Sequence, residues 1–352
     1  PLGWLADRVN RQRMLATMLL AWSACVAACG QAGQFLTLLA TRVGIGAMDA
    51  GSQPCSVSML ADLYPRHRRA GAVAVLYAGV PLGMAGGFLG GAMLASAYGW
   101  RTGFAVAAGL GLVLCAALML LKEPARGAAE ESSAATMSGP APSMAQAFQF
   151  MRSQSSLVNL FAASVLVTTS SSAMMSWIGS LLIRNHGLDL PTVGLLTAVC
   201  MGGFGALGTL VVGWLCDRIG GGALRHQLRL MALLTCILAA AGTIVALAPA
   251  ITAVAVALAL FAGCVAGLNG PTYALSQSLV KLRMRGLSMS TLIVLLNLIG
   301  VGVGPTLAGI LSDLFAASLG EASVKAAMMC VLVTALPAVF LFLRAANTVE
   351  AD

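Results

Sequence analysis

Apolar residues run through this chain in long unbroken blocks, separated by short polar stretches. Ten such blocks stand out, near residues 14–33, 35–62, 69–97, 101–121, 157–183, 191–216, 227–247, 250–279, 286–313 and 322–344. Each has roughly the 20 mostly apolar residues that a helix needs to cross a hydrocarbon core about 30 Å thick. No block alternates polar and apolar positions as a membrane β-barrel strand does. The pattern predicts an all-α polytopic membrane protein of ten helices. One long segment breaks it: residues 122–156 are rich in Ser, Ala, Pro and charge and read as a linker with one amphipathic turn. The expected domains are an N-terminal bundle over 1–121, the linker 122–156 and a six-helix C-terminal bundle over 157–346.

Composition supports the membrane reading. The chain is 59% hydrophobic and 9% charged, with a mean hydropathy of +0.90, against roughly a quarter charged residues in a soluble domain. Charge then orients it. Sixteen Lys and Arg fall on one set of alternate loops, from Arg8, Arg11 and Arg13 through Arg66, Lys122, Arg218 and Lys281 to Arg344. Only Arg101, Arg184 and Lys325 fall on the other, with Arg42 inside a helix. Basic loops stay inside, so the linker and C-terminus are expected to be cytoplasmic, in an inner or plasma membrane. The net charge of +8 is accounted for by loops beside anionic lipid and calls for no nucleic-acid partner. Nine cysteines lie in or beside apolar runs and read as small reduced core residues. The three histidines are far apart. No cofactor, metal site or catalytic cluster is expected, and none of these residues points to an enzyme.

Two charged phrases repeat: "GWLADRVNRQR" at residues 3–13 and "GWLCDRIGGG" at 213–222. Gly3 and Gly213 are expected to allow close backbone approach at a helix end. Asp7 and Asp217 can accept hydrogen bonds from a neighbouring helix start, while Arg8, Arg11 and Arg218 stay at the inner surface. Matching phrases in two halves imply an internal duplication, as in many secondary transporters.

Those phrases resemble the loop signature of the major facilitator superfamily, with Asn10 in the place of a Gly, a change tolerated because Asn visits left-handed backbone. Counted from that anchor, the ten helices would be numbers three to twelve of a twelve-helix, two-bundle fold. The first helix and most of the second are expected to be absent. "RVGIGAMDAGSQPCSVSMLADLYPRHRRAGAVAVLYAGVPLG", "KEPARG" and "SLVKLRMRGLSMSTLIVLLNLIGVGVGPTLAGILSD" are similar to the spinster-like branch. The resemblance implies alternating-access transport, and animal members of that branch handle lysolipids and sphingoid lipids.

Candidate chemistry sits where polar residues interrupt the apolar blocks. Arg42 and Asp49 are seven residues apart, two turns on one helix face, and ionisable groups at such depth cost several kcal/mol unless paired or hydrated. The resemblance implies a proton-coupling and substrate role for them; a structural ion pair or a solvated group near the helix end is the alternative. Gln53, one turn on, extends that face. Asn269, Tyr273 and Gln277 recur every four residues and are either substrate contacts or interhelical hydrogen bonds. Thr168, Ser172 and Ser176 share another face and are either substrate contacts or hydroxyls that satisfy helix backbone. Asn297 is expected to bond between helices. The runs "GVPLGMAGGFLGG" and "GVGVGPTLAG" are expected to let helices pack closely, with Pro81 and Pro305 loosening the backbone.

The functional expectation is a monomeric secondary transporter of a small organic or amphipathic solute, driven by protons. An organic-anion symporter and a receptor that binds without cycling are the alternatives. Partners would be the solute, protons and the bilayer.

Overall fold

The computed structural model describes residues 10–64, 66–121, 144–220, 224–281 and 284–350, at several helix positions through the backbone alone. Among the described residues there is no strand. Among those residues nine helices are long and apolar enough to cross a membrane. Phe35–Leu63, a further continuous helix of 29 residues, would rise about 43 Å at 1.5 Å per residue. It is the block that carries Arg42 and Asp49. The chain divides into two compact units, Pro1–Met137 and Ser138–Asp352.

In the first unit α1 (Arg11–Gln31), α2 (Phe35–Leu63), α3 (Arg66–Tyr98) and α4 (Trp100–Leu120) follow in order. α1 packs against both α2 and α4. Its start is fixed by Asn10, whose side chain accepts a hydrogen bond from the Arg13 N–H at 2.7 Å. Asn10 is therefore an N-cap in extended backbone (φ −64, ψ 114), not the left-handed residue expected from the motif. The cap wins because its carboxamide oxygen satisfies one of the orphan N–H groups of a helix start. Beside it the Gln12 amide donates to the carbonyls of Leu118 and Met119 at 2.9 and 3.2 Å. Those are last-turn carbonyls of α4, which have no partner within their own helix. Close passage of α1 over α4 rests on glycine: a Cβ at Gly30 would lie 3.1 Å from Phe104 Cβ.

The second unit contains α5 (Met144–Ser153), α6 (Ser155–His186) and α7 (Leu190–Thr197). A π-helical segment, Ala198–Phe204, joins α7 to α8 (Gly205–Gly220). There follow α9 (Leu224–Leu247), α10 (Ile251–Ser278) and α11 (Arg285–Leu295). A second π segment, Leu296–Val301, leads into α12 (Gly302–Leu319), then α13 (Ser323–Leu332) and α14 (Ala335–Thr348). The linker expected to hold one amphipathic turn contains α5, a helix of ten residues. The π segment before Pro305 has a local reason: Pro305 has no N–H to give the preceding turn, and a widened turn absorbs the loss. α6 is the most buried of those nine spans, with Leu157, Leu160, Met174, Ile178, Leu181 and Leu182 at 2% exposure or less.

Glycines set the tightest crossings of this unit. α8 meets α10 where a Cβ on Gly208 would fall inside the Gly263 backbone, and Gly267 faces Val212. The run GVGVGPTLAG behaves as expected, since Gly300 and Gly304 press on Thr168, Thr169 and Ser172 of α6. The α3 run does not. A Cβ at Gly79, Gly83, Gly86, Gly87, Gly90 or Gly91 would meet nothing within 4 Å. The spacing is compatible with close packing, but no described atom comes within contact distance. Gly213 likewise meets nothing within 4 Å, so the close approach expected there is not made. Asn297 also departs from expectation: its amide donates to the Ile293 carbonyl one turn back at 2.9 Å. Its own helix offers the nearer acceptor. Cys236 and Cys330 are exposed rather than core residues, because they fall on the outward faces of α9 and α13.

Candidate functional site

The α3 glycines do not pack because they form a wall. Gly83, Gly86, Gly87, Gly90 and Gly91 line a groove of about 1080 Å³ within the first unit. Opposite them stand Leu15, Met18 and Trp22 of α1 and Phe104, Ala107, Leu110 and Leu114 of α4. Met48, Asp49, Ser52 and Ser56 of α2 complete it. Side chains absent from α3 leave the volume, and apolar side chains supply the lining. Among the described residues that line it, Asp49 is the one with an ionisable side chain.

Asp49 is exposed to this space. Its backbone carbonyl accepts the Ser52 hydroxyl at 2.8 Å, and no described residue bonds or pairs with its carboxylate. Ser52 and Ser56 follow Asp49 at i+3 and i+7, so the three share one face. Arg42 lies two turns earlier, also exposed, with its guanidinium 5.3 Å from the centre of the Phe104 ring. Stacking on an aromatic face stabilises a cation by about 0.5–1 kcal/mol at an exposed site. Among the described residues no ion pair joins Arg42 to Asp49; instead Phe104, in the groove wall, stands under the arginine. Gln53 belongs to the same helix, and its side chain lies outside the described set.

The second unit gathers part of the other polar set. Thr168 of α6 and Asn269 of α10 line a cavity of about 30 Å³ with Ser164, Ser171 and Thr272. That is room for about one water molecule. Each of the four hydroxyls donates to a carbonyl of its own helix: Ser164 to Leu160 at 2.7 Å, Thr168 to Ser164 at 2.8 Å, Ser171 to Thr168 at 3.2 Å and Thr272 to Leu268 at 2.7 Å. Their protons are committed, so the hydroxyl oxygens offer lone pairs, and the cavity suits a hydrogen-bond donor. Ser172 is committed elsewhere, reaching the Gly300 carbonyl at 2.8 Å. Ser176 is exposed and Tyr273 half-buried. The Gln277 amide stands 3.8 Å from the Met289 sulfur, while its backbone carbonyl accepts from Arg285 at 3.1 Å.

Of the repeated phrases, Gly3, Asp7 and Arg8 lie outside the described residues, as does the side chain of Asp217. Arg11 is 4% exposed. Arg218 is exposed and stacks on Trp214 at 5.0 Å. Reasoning from sequence missed Phe104, Ser52, Ser56, Ser164, Ser171 and Thr272 as lining residues. The helical spacing of Ser52 and Ser56 from Asp49 was a readable signal; the partnership of Phe104 with a helix 60 residues away was not.

Known proteins share this arrangement of helices. The solved structure of a bacterial homolog of the human lysosomal transporter spinster, inward-facing and unoccupied, superposes with a TM-score of 0.83 at 22% identity. It covers 99% of this chain and 85% of that one. A nucleoside transporter gives 0.75 at 11% identity, covering 98% and 86%. These likenesses carry the fold. In sequence, an MFS-type efflux pump of Mycolicibacterium smegmatis is 28% identical over 330 residues, 92% of this chain and 74% of the pump. Protein spinster homolog 1 of Bos taurus is 27% identical over 190 residues, 52% of this chain and 35% of that protein. The family model of the Major Facilitator Superfamily matches residues 1–305. A multi-pass helical chain with these matches belongs to the Major Facilitator Superfamily of transporters and is spinster-like within it.

Proposed function

We propose that the protein is a secondary active transporter rather than an enzyme. It moves a small organic or amphipathic solute by exposing a binding cavity alternately to the two membrane faces, and protons drive it through Asp49. The observation that carries this reading is one carboxylate, without a described partner, in an apolar groove of about 1080 Å³. An ionised carboxylate at membrane depth is costly, so a bound proton or a bound cationic group relieves the same penalty. Competition between the two for Asp49 is a coupling device. Arg42, held over Phe104, keeps a fixed positive charge on the same helix and biases that competition. Thr168, Ser172, Ser176, Asn269, Tyr273 and Gln277 would supply polar contacts from the C-terminal half, Gln53 a further one beside Asp49. Gly3, Asp7, Arg8 and Arg11, with Gly213, Asp217 and Arg218, would form paired cytoplasmic latches. In this reading residues 1–121 and 157–346 are the two bundles and 122–156 the linker. The protein works as a monomer in the plasma membrane, with linker and C-terminus in the cytoplasm. The relative named as an efflux pump supports export as the direction of transport.

The test uses the full-length protein in proteoliposomes under an imposed pH gradient, with a panel of amphipathic cations including ethidium. Wild type should show pH-driven flux, and Asp49→Asn should lose at least tenfold of it while solute exchange at equilibrium persists. Full pH dependence in Asp49→Asn sinks the coupling role. The exposed guanidinium of Arg42 favours one second reading, an organic-anion symporter. In that case Arg42→Gln abolishes benzoate uptake, and Asp49→Asn leaves its binding intact.

A further inference from the structure

α5 is too short to span anything. Its ten residues, MAQAFQFMRS, rise about 15 Å, half the thickness of a bilayer core. Only Gln154, in extended backbone (φ −84, ψ 100), separates it from the membrane-spanning α6, so α5 does not continue that helix. One face is used up: Ala147 and Met151, a turn apart, are 3% and 4% exposed, and α5 packs on α6.

A second face is left open. Phe148 is 45% exposed, and Arg152, one turn on, is exposed beside it. Around the helix the Phe150 ring carries the Lys281 ammonium at 5.0 Å from its centre. Lys281 comes from the connection after α10, and the exposed Arg285 opens α11 close behind it in sequence. No Asp or Glu occurs between Met144 and Leu188 or between Ile251 and Ser312, so the elements bearing these three cations supply no counter-charge. An exposed phenylalanine on a short amphipathic helix, beside cations whose own elements carry no acid, matches the boundary between lipid headgroups and acyl chains.

We propose that α5 lies on the membrane surface as an interfacial helix, with Phe148 entering the acyl boundary and Arg152, Lys281 and Arg285 binding anionic phospholipid headgroups. The Lys281–Phe150 contact ties the helix to the α10–α11 connection, so the same lipids bridge two segments of this unit. This inference stands apart from the transport reading, because it uses none of the groove or cavity residues.

The experiment measures amide hydrogen exchange over Met144–Ser153 in the full chain. Three environments are compared: phosphatidylcholine nanodiscs, nanodiscs enriched in phosphatidylglycerol, and detergent. Exchange should slow several-fold with phosphatidylglycerol, and high salt should cancel the slowing. The Arg152→Gln/Lys281→Gln double variant should lose the lipid response, with α6 exchange unchanged as the control for folding. Phe148→Ser should speed exchange in both lipids. Equal exchange in the two lipids overturns the proposal. Full protection in detergent also overturns it, because protein contacts alone would then hold the helix.

Discussion

Adding one methyl group to Gly208 tests the crossing of α8 and α10. An ideal Cβ there would lie 2.6 Å from the Gly263 carbonyl carbon, and closer still to its Cα and oxygen. All three are backbone atoms, so no rotamer change can relieve the overlap. Carbon atoms rest about 3.5 Å apart or more, so the helices must part by roughly 1 Å. That separation loosens the neighbouring contact of Gly267 with Val212. Overpacking of this kind costs about 1–3 kcal/mol, and the rigid neighbour puts Gly208→Ala near the top of that range. For a unit of this size each kcal/mol lowers Tm by about 2–4 °C, giving a fall of roughly 5–10 °C. Gly213 provides the control within the same helix. A Cβ there meets nothing within 4 Å, and Ala is the better helix former by about 1 kcal/mol. Gly213→Ala should leave Tm unchanged or raise it. Thermal unfolding of the purified full chain, followed by tryptophan fluorescence, reads both variants. Equal melting of Gly208→Ala and wild type, or an equal loss in both variants, would refute the reasoning.

Three further outcomes follow from single hydrogen bonds or ion pairs. Ser172→Ala removes the 2.8 Å bond to the Gly300 carbonyl; interhelical bonds in membranes are worth about 0.6 kcal/mol and at most about 1.7, so Tm should fall by a few degrees at most. Gln12→Ala frees the carbonyls of Leu118 and Met119, and amide exchange over the last turn of α4 should quicken several-fold with mid-helix exchange unchanged. Glu350→Gln breaks the Arg225 pair at 3.4 Å, but those side chains are 37% and 68% exposed. Such pairs contribute about 0–1 kcal/mol, so its melting curve should overlay that of wild type.

Helix positions were legible because each is an apolar run with polar ends. The runs read at 35–62 and 250–279 became Phe35–Leu63 and Ile251–Ser278. The run read at 286–313 continues to Leu319, since Asp313 is exposed and interrupts the hydropathy without breaking the helix. Packing was less legible. Two glycine-rich runs look alike in sequence, yet Gly300 and Gly304 touch α6 whereas Gly83 to Gly91 border open space. The difference lies in what stands opposite, which a single run does not encode. Asp49 announced itself as a lone acid in an apolar block. The role of Ser172 did not, because a hydroxyl facing a ligand and one facing a carbonyl occupy the same helical register. Asn10 shows a motif misread through analogy: left-handed freedom was available to it, and an N-cap was worth more.

The two π segments alter the phase of the helices that follow them. One residue inserted into a turn advances everything downstream by about 100° relative to an uninterrupted α-helix. Gly208 begins four residues after Ala198–Phe204 ends, so its orientation toward Gly263 depends on that insertion. Deleting a single residue such as Val199 would permit a regular helix with better local hydrogen bonding. It would leave Gly208 facing α10, whereas closing the turn to a regular helix with every residue kept would swing the glycine about 100° away and bring a bulkier side chain round to meet the Gly263 backbone. The irregular turn is thus a register setting for the whole lower half of that span, and regularising it at full length would cost the chain its tightest helix crossing.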